Sequence, residues 1–141
     1  MVKICLFCKF FNDKVNLERM LLKTSPFVDY MVLCDDSSTD GSREIAEKYT
    51  KDIITLEDNF ENELSHKQKL LQFALEKHPD IEWFLQLDSD EILEYPEKIK
   101  DLCKLMSYEG FEGVYCHLKN LWMSEDKYRV DNAFNSLWKV V

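Results

Sequence analysis

The chain has 141 residues, and its 18 basic and 27 acidic side chains give a net charge of −9. This length suits one domain, and the acidic balance argues against a nucleic-acid backbone as the main partner, because no basic surplus exists to release counterions. The longest apolar runs are far shorter than the roughly 20 residues of a membrane span, so no transmembrane segment is expected. Five cysteines without a recognisable secretion signal predict reduced thiols in the cytoplasm, with peripheral attachment to a membrane left open.

Short apolar runs that favour β-structure alternate along the chain with segments of helical periodicity. Strands are predicted at about residues 3–11, 29–34, 52–56 and 82–87, with later strands at about 113–121 and 136–141. Helices are predicted at about residues 14–23, 42–50 and 63–78, and Pro96 opens a fourth. This alternation predicts an α/β fold in which helices cover both faces of a parallel or mostly parallel sheet.

The helical periodicity also predicts which side chains share a face. Asp40 is placed to cap the second helix. Leu64, Leu71 and Leu75 share one face of the third helix. On the fourth helix, the side chains expected to face inward are Ile99, Leu102, Leu105 and Met106.

Acidic residues follow the fourth predicted strand, in the segment Asp88-Ser89-Asp90. Ligands of parallel sheets bind beyond the carboxyl ends of the strands, where the strand order reverses. In an extended chain, residues two apart point to the same side, so both carboxylates would face one spot. Carboxylate oxygens are hard ligands that suit Mg²⁺ or Mn²⁺ and leave positions for phosphate and water. The alternative interpretation is a solvated acidic turn.

A second acidic pair, Asp35 and Asp36, follows the second predicted strand. A carboxylate there can accept a hydrogen bond from a base N–H or a sugar hydroxyl, whereas the polar residues 37–42 are typical of turns and helix caps. Near the start of the third helix, His66 and Lys67 are candidates to neutralise phosphate charge. A solvated helix face explains these two basic residues equally well, and it is the preferred explanation for Lys69.

The cysteines and the missing motifs narrow the function classes. Cys5 and Cys8 have C-x-x-C spacing, but three residues apart in a strand means opposite faces, so both are predicted to be core residues. Cys34, Cys103 and Cys116 are likewise interpreted as small buried hydrophobes. The chain contains neither G-x-G-x-x-G nor G-x-x-x-x-G-K-[ST], which argues against the usual dinucleotide-binding fold and against a P-loop NTPase.

Three segments, in order and spacing, resemble those of family 2 type GT-A glycosyltransferases: Phe10-Phe11-Asn12-Asp13, Asp35-Asp36-Ser-Ser-Thr-Asp-Gly-Ser and Phe84-Leu-Gln-Leu-Asp88-Ser-Asp90-Glu91. The resemblance covers roughly the first two-thirds of the chain. It implies a GT-A, Rossmann-like fold and a nucleotide-activated sugar as donor, most often a UDP- or GDP-sugar. It also implies a divalent metal cofactor, Mn²⁺ or Mg²⁺. The acceptor, whether glycan, lipid-linked or protein, is left open.

The resemblance also assigns roles to individual residues. It implies that Lys9 and Phe10 line the nucleotide pocket, and that Lys67 approaches the nucleotide. It implies that Asp36 reads the base, with Asp35 beside it. Of the acidic residues in the Asp-x-Asp segment, Asp90 is the implied direct metal ligand. Asp88 is implied to bind metal as well and to lie nearer the ribose or the sugar.

The catalytic base is not identified, because in this family it comes from further downstream. Residues 1–141 are expected to form a single GT-A-like domain that is shortened at its C-terminal end. The candidate bases are Glu125, Asp126 and Asp131, for which a solvated loop is the favoured alternative. Without a base, the chain would be a nucleotide-sugar-binding module that does not catalyse transfer.

A phosphatase of the haloacid dehalogenase type is a third alternative. The segment that begins at Asp88 partly resembles its D-x-D signature, in which the first Asp is a nucleophile. That family expects the motif on the first strand, whereas here it follows the fourth, and this alternative is disfavoured.

Overall fold

The computed structural model describes residues 2–56, 63–117, 119, 121 and 138–140. Its strands are β1 (Ile4–Phe10), β2 (Tyr30–Asp35), β3 (Ile53–Thr55), β4 (Trp83–Gln86), β5 (Tyr115–His117) and β6 (Trp138–Val140). Its α-helices are α1 (Lys14–Thr24), α2 (Ser42–Ala46), α3 (Glu63–Lys77) and α4 (Ile99–Tyr108), with short 3₁₀ segments at Ser25–Phe27 and Pro96–Lys98. The predicted alternation of strands and helices is therefore confirmed through α4.

Strands β1 to β4 form one parallel sheet in the order β3-β2-β1-β4. In its register, Phe7 of β1 lies between Val32 of β2 and Gln86 of β4. The strand order runs outward from β1 to β3 and then returns to β4 on the other side of β1. Since ligands of such sheets bind where the order reverses, the crevice between the carboxyl ends of β1 and β4 is the expected site. Strands β5 and β6 form a separate antiparallel pair.

The core lies on both faces of the parallel sheet, as predicted. One face of β1 packs against α1, α2 and α4 through buried apolar side chains, among them Ile4, Leu6, Cys8, Phe10, Leu17, Met20, Ile45 and Ile99. The other face packs against α3 through Cys5, Phe7, Val32, Cys34, Leu70 and Ala74. Cys5 and Cys8 thus point to opposite faces and are buried, and burial raises the pKa of the Cys5 thiol to about 12. A thiol held neutral at physiological pH suits the predicted core role.

The buried face of α3 is not the leucine face that the periodicity suggested. Leu64, Leu71 and Leu75 do share a face, but this face is exposed, with Leu64 72% accessible. The helix turns Leu70 and Ala74 toward the sheet instead. A stripe that contains alanine lets the helix axis approach the strands more closely than a stripe of three leucines would, and tertiary packing decides between the two faces.

Smaller differences concern the ends and faces of α2 and α4. Helix α2 ends at Ala46 rather than near residue 50, and its N-cap is Gly41, at φ +95°, rather than Asp40. On α4, Ile99 is buried as predicted, but Leu105 is 52% exposed. The two last predicted strands, over 113–121 and 136–141, contain the shorter strands β5 and β6, and residues 118, 120, 136, 137 and 141 lie outside the described residues.

Candidate active site

A cleft of about 250 Å³ lies at the carboxyl edge of the sheet, beside the ends of β1 and β4. Its walls include five of the residues singled out from the sequence, namely Lys9, Phe10, Asp36, Lys67 and Asp88. Phe7, Phe11, Gln86, Leu87 and Ser89 complete the lining. Asp35 and Asp90, which the sequence also singled out, are not among the lining residues. The cleft therefore brings together side chains from β1, β4, α3 and the segments that follow β1, β2 and β4.

Asp36 is the buried carboxylate of the cleft, with 4% of the residue accessible. Its backbone N–H donates to the carbonyl of Phe10 at 3.0 Å, which continues the β1–β2 pairing by one step and places Asp36 beside the end of β1. Nζ of Lys9 lies 2.7 Å from its Oδ2 atom. Its Oδ1 atom is buried without a hydrogen-bond partner in the described part of the chain. An unsatisfied buried acceptor is costly, so Oδ1 is suited to accept a hydrogen bond from a ligand.

Asp35 is equally buried but serves the loop between β2 and α2. Its Oδ1 atom accepts a hydrogen bond from the backbone N–H of Ser38 at 2.9 Å. Its Oδ2 atom lies 3.8 Å from the guanidinium of Arg43. The two adjacent carboxylates therefore have different roles, since only Asp36 faces the cleft while Asp35 shapes the turn beside it.

The Asp-x-Asp segment lies in a turn, not in the extended chain that the sequence interpretation assumed. The backbone N–H of Glu91 donates to the carbonyl of Asp88 at 3.0 Å, and the backbone N–H of Asp88 donates to Oε2 of Glu91 at 2.8 Å. The Glu91 side chain thus turns the chain sharply after β4. Asp88 and Asp90 are both exposed at the rim of the sheet.

The described residues contain no cluster of three or more His, Cys, Asp or Glu side chains that could hold a metal ion by itself. Mg²⁺-type sites commonly use one or two protein carboxylates and take their other ligands from phosphate and water. Two exposed carboxylates, Asp88 and Asp90, fit a cation of this kind when it is shared with a bound diphosphate. They do not fit a closed protein site.

Of the two basic residues at the start of α3, only Lys67 lines the cleft. His66 is buried at 5% accessibility on the side of α3 that also carries Leu70, and its Nδ1 atom has no hydrogen-bond partner within the described residues. Lys69 is exposed, as expected. The phosphate-neutralising role suggested for this pair is therefore compatible with the position of Lys67 but has no support for His66.

Hydrogen bonds join the loops that surround the cleft. The amide oxygen of Asn12 accepts from the backbone N–H of Thr39 at 2.7 Å, and Asn12 itself donates its backbone N–H to Oγ of Ser38 at 3.0 Å. Asn12 and Ser37 both adopt positive φ angles, of 46° and 63°, which residues other than glycine rarely do. Tyr95, which does not line the cleft, also has a positive φ angle, of 61°, so this backbone conformation is not confined to the loops around the cleft.

Comparison with known proteins identifies the family. The family model described as glycosyl transferase family 2 matches residues 10–138. The chain belongs to glycosyl transferase family 2. None of the curated protein sequences compared with this glycosyltransferase domain matches it significantly.

Two solved structures show that the domain has the expected GT-A fold. A crystal structure of glucosyl-3-phosphoglycerate synthase from Mycobacterium tuberculosis with uridine diphosphate matches at a TM-score of 0.52 and 16% identity, over 70% of this chain and 38% of that chain. A second structure of that enzyme, with Mn²⁺ and UDP-glucose, matches at a TM-score of 0.54 and 20% identity, over 77% and 41%. The family 2 domain thus spans less than half the length of these structures.

The sequence interpretation of this glycosyltransferase domain missed several residues of the site. Phe11 and Gln86 line the cleft, and Ser89 was treated only as the spacer between two acids. The sequence signal that could have found them is their position at the strand ends, because Phe11 follows β1, Gln86 ends β4 and Ser89 follows β4. The candidate bases Glu125, Asp126 and Asp131 lie outside the described residues. No helix in the described part of the chain is long and apolar enough to cross a membrane.

Proposed function

We propose that this domain binds the nucleoside diphosphate of an activated sugar in the cleft beside β1 and β4 and transfers the sugar to an acceptor. The observation that carries the proposal is the convergence of Lys9, Asp36, Lys67 and Asp88 on one cleft at the point where the strand order reverses. These residues come from separate segments of the chain. Membership in glycosyl transferase family 2 supports the reaction class.

The side chains of the cleft match the parts of such a donor. Oδ1 of Asp36 accepts an N–H of the base or a hydroxyl of the ribose, since it is the unsatisfied acceptor there. Phe7, Phe10 and Phe11 give the apolar surface that a planar base requires. The ammonium group of Lys67 offsets negative charge on the diphosphate. Lys9 neutralises Asp36 through its ion pair, so that the cleft can accept an anionic ligand.

Asp88 and Asp90 are the residues proposed to hold a divalent cation, Mn²⁺ or Mg²⁺. When bound, such a cation stabilises negative charge on the departing diphosphate as a Lewis acid. The donor set of two exposed carboxylates supports this proposal. The similar structure of glucosyl-3-phosphoglycerate synthase with Mn²⁺ and UDP-glucose also supports it. Because both similar structures contain a uridine nucleotide, UDP-sugars are the first donors to test, and GDP-sugars the second.

A second function, nucleotide-sugar binding without transfer, is favoured by the acids in the cleft. Among the described lining residues, the carboxylates are those of Asp36 and Asp88. Asp36 is paired with Lys9, and Asp88 is assigned to the metal, so neither is available to deprotonate an acceptor hydroxyl. Donor binding in the absence of any transfer or hydrolysis would identify this second function.

Calorimetric titration with UDP and GDP, each with and without Mn²⁺, tests the proposal. We expect Mn²⁺-dependent binding of at least one nucleotide, strong weakening by Asp90→Ala, and weakening by Asp36→Asn under both metal conditions. Asp101→Ala removes an exposed carboxylate on α4 that does not line the cleft, and it is expected to bind as the wild type does. The proposal is contradicted if neither nucleotide binds under any of these conditions.

A further inference from the structure

The side chain of Asp13 stands at the start of α1, but it does not cap that helix. An aspartate at this position usually accepts a hydrogen bond from a backbone N–H of the first turn. Here no such bond forms, and Oδ2 of Asp13 instead accepts from the hydroxyl of Ser89, at an Oγ–Oδ2 distance of 2.6 Å. Ser89 is the residue between Asp88 and Asp90. The carboxylate is therefore used for a contact between the loops that follow β1 and β4.

Other side chains supply the hydrogen bonds that fix Asp13 in place. Oδ2 of Asp40 accepts the backbone N–H of Lys14 at 3.0 Å, so the first N–H group of α1 is satisfied from the loop before α2. Oγ of Ser42 accepts the backbone N–H of Asp13 at 2.9 Å, and the amide of Asn16 donates to its Oδ1 at 2.8 Å. Ser42 and Asn16 thus hold the backbone N–H and one carboxylate oxygen of Asp13. This leaves Oδ2 directed at Ser89.

We propose that Asp13 is a positioning residue that holds the turn from Asp88 to Glu91 in the place where its carboxylates serve the cleft. The inference rests on the proposed function, because it assumes that Asp88 and Asp90 bind a cation together with the nucleotide. The hydrogen bonds between Asp88 and Glu91 shape the turn, but they do not fix its place relative to β1. The Ser89–Asp13 bond does so, since α1 and β1 are anchored in the core.

Asp13 acts through Ser89 and does not line the cleft, so its effect depends on a hydrogen bond and not on its charge. Three variants separate these two contributions. Asp13→Ala and Ser89→Ala each remove the bond. Asp13→Asn removes the charge but keeps an oxygen that can accept from Ser89, and Asn16 can rotate its own amide to remain paired with the new side chain.

The test is the affinity for UDP measured by calorimetry with and without Mn²⁺. The Mn²⁺-dependent gain is the factor by which Mn²⁺ increases the affinity for UDP. Outer partners of metal ligands typically contribute about 10–100-fold to metal affinity, so Asp13→Ala and Ser89→Ala should each reduce this gain by about ten-fold. Affinity for UDP without metal should stay unchanged in Asp13→Ala, because Asp13 does not line the cleft. The double variant should be no weaker than the weaker single variant, because both changes remove the same bond. Asp13→Asn should stay near the wild type.

Ser107→Ala is the matched control. It also removes a serine hydroxyl from a part-buried hydrogen bond, in which the indole N–H of Trp83 donates to Oγ of Ser107 at 2.8 Å, but Ser107 does not line the cleft. It should lower the unfolding temperature without changing the Mn²⁺-dependent gain. Loss of that gain in Ser107→Ala would assign the effect to general destabilisation and overturn the inference.

The outcomes separate this inference from the function on which it rests. If the wild type needs Mn²⁺ but Asp13→Ala and Ser89→Ala retain the full gain, the inference is wrong and the proposed function stands. If Asp13→Asn loses as much as Asp13→Ala, Asp13 acts through its charge and the positioning role is wrong. If Mn²⁺ does not strengthen UDP binding by the wild type, the metal part of the proposed function fails, and the inference fails with it.

Discussion

Nζ of Lys9 lies 2.7 Å from Oδ2 of Asp36, and both side chains line the same cleft. Lys9 points to the sheet face that carries Cys5 and Phe7, because alternate residues of β1 point to the same side. A lysine at the end of a buried strand is costly unless it is paired. The pair therefore explains how this strand tolerates a charge directly beside its core, and it sets the charge balance of the cleft.

Removal of Lys9 should destabilise the protein more than removal of Asp36. Lys9→Met leaves the Asp36 carboxylate buried and unpaired, which should lower the free energy of unfolding by about 2 kcal/mol, less than for a fully buried pair because the Lys9 side chain is partly accessible. Asp36→Asn should cost less, since the lysine can reorient toward water. Urea unfolding at neutral pH measures both. A Lys9→Met protein as stable as the wild type would show that the pair does not stabilise the fold.

The position of α3 on the sheet yields a second prediction, in which two leucines of one helix behave differently. Leu70 is 1% accessible and packs against the sheet, so Leu70→Ala should lower the free energy of unfolding by about 2–4 kcal/mol. Leu64 is 72% accessible, and Leu64→Ala should change it by less than about 0.5 kcal/mol. Urea denaturation of the two variants compares them directly. Equal losses of unfolding free energy in the two variants would contradict this packing of α3 on the sheet.

The acid stability of the fold should depend on Asp29, which links the start of β1 to α4. Its carboxylate accepts the backbone N–H of Ile4 at 3.1 Å and lies 3.0 Å from Nζ of Lys100 and 3.3 Å from Nζ of Lys3. Burial acts to raise the pKa of Asp29. The hydrogen bonds from Ile4, Lys100 and Lys3 outweigh it, so the pKa lies below the ordinary carboxyl value of 3.8.

A carboxyl group with a lowered pKa in the folded state stabilises the fold above its unfolded pKa and loses this contribution as the pH falls. The wild type should therefore lose stability as the pH falls below about 4. Asp29→Asn should be less stable at pH 7 and should show a shallower acid-induced loss. Urea unfolding between pH 7 and pH 3 gives the slopes. Asp101→Asn, which changes an exposed carboxylate, should keep the wild-type slope, and an unchanged slope in Asp29→Asn would contradict the prediction.

The sequence predicted the fold well where local pattern and packing agree. The short apolar runs of β1, β2 and β4 alternate with helical segments, which favours buried parallel strands, and the acidic residues after them marked the edge of the sheet where the cleft lies. The pattern did not show which face of α3 is buried, because the choice between Leu70 and Leu71 depends on how closely the helix can approach the strands.

The candidate site shows the same limit at the level of single residues. Adjacent carboxylates at Asp35 and Asp36 are equivalent in sequence, and only the contact of Asp35 with Ser38 separates the turn residue from the cleft residue. In the turn after β4, the Glu91 carboxylate accepts a hydrogen bond from the backbone N–H of Asp88, so an extended chain was the wrong expectation. The contact between Asp13 and Ser89 joins residues that are 76 positions apart, and a single sequence gives no sign of such a pair.

The last prediction concerns the order in which metal and nucleotide associate with the cleft. The turn after β4 offers two exposed carboxylates, those of Asp88 and Asp90, and the described residues contain no larger cluster of metal ligands. Mn²⁺ alone should therefore bind weakly, with the diphosphate supplying further ligands. Linkage requires that Mn²⁺ raises the affinity of the protein for UDP by the same factor by which UDP raises its affinity for Mn²⁺. This factor should be at least about ten-fold. Calorimetry of Mn²⁺ with and without saturating UDP, and of UDP with and without Mn²⁺, measures both factors. Uridine, which lacks the phosphates, is the control ligand and should give no such gain. Tight binding of Mn²⁺ to the protein without nucleotide would show that other residues complete the metal site.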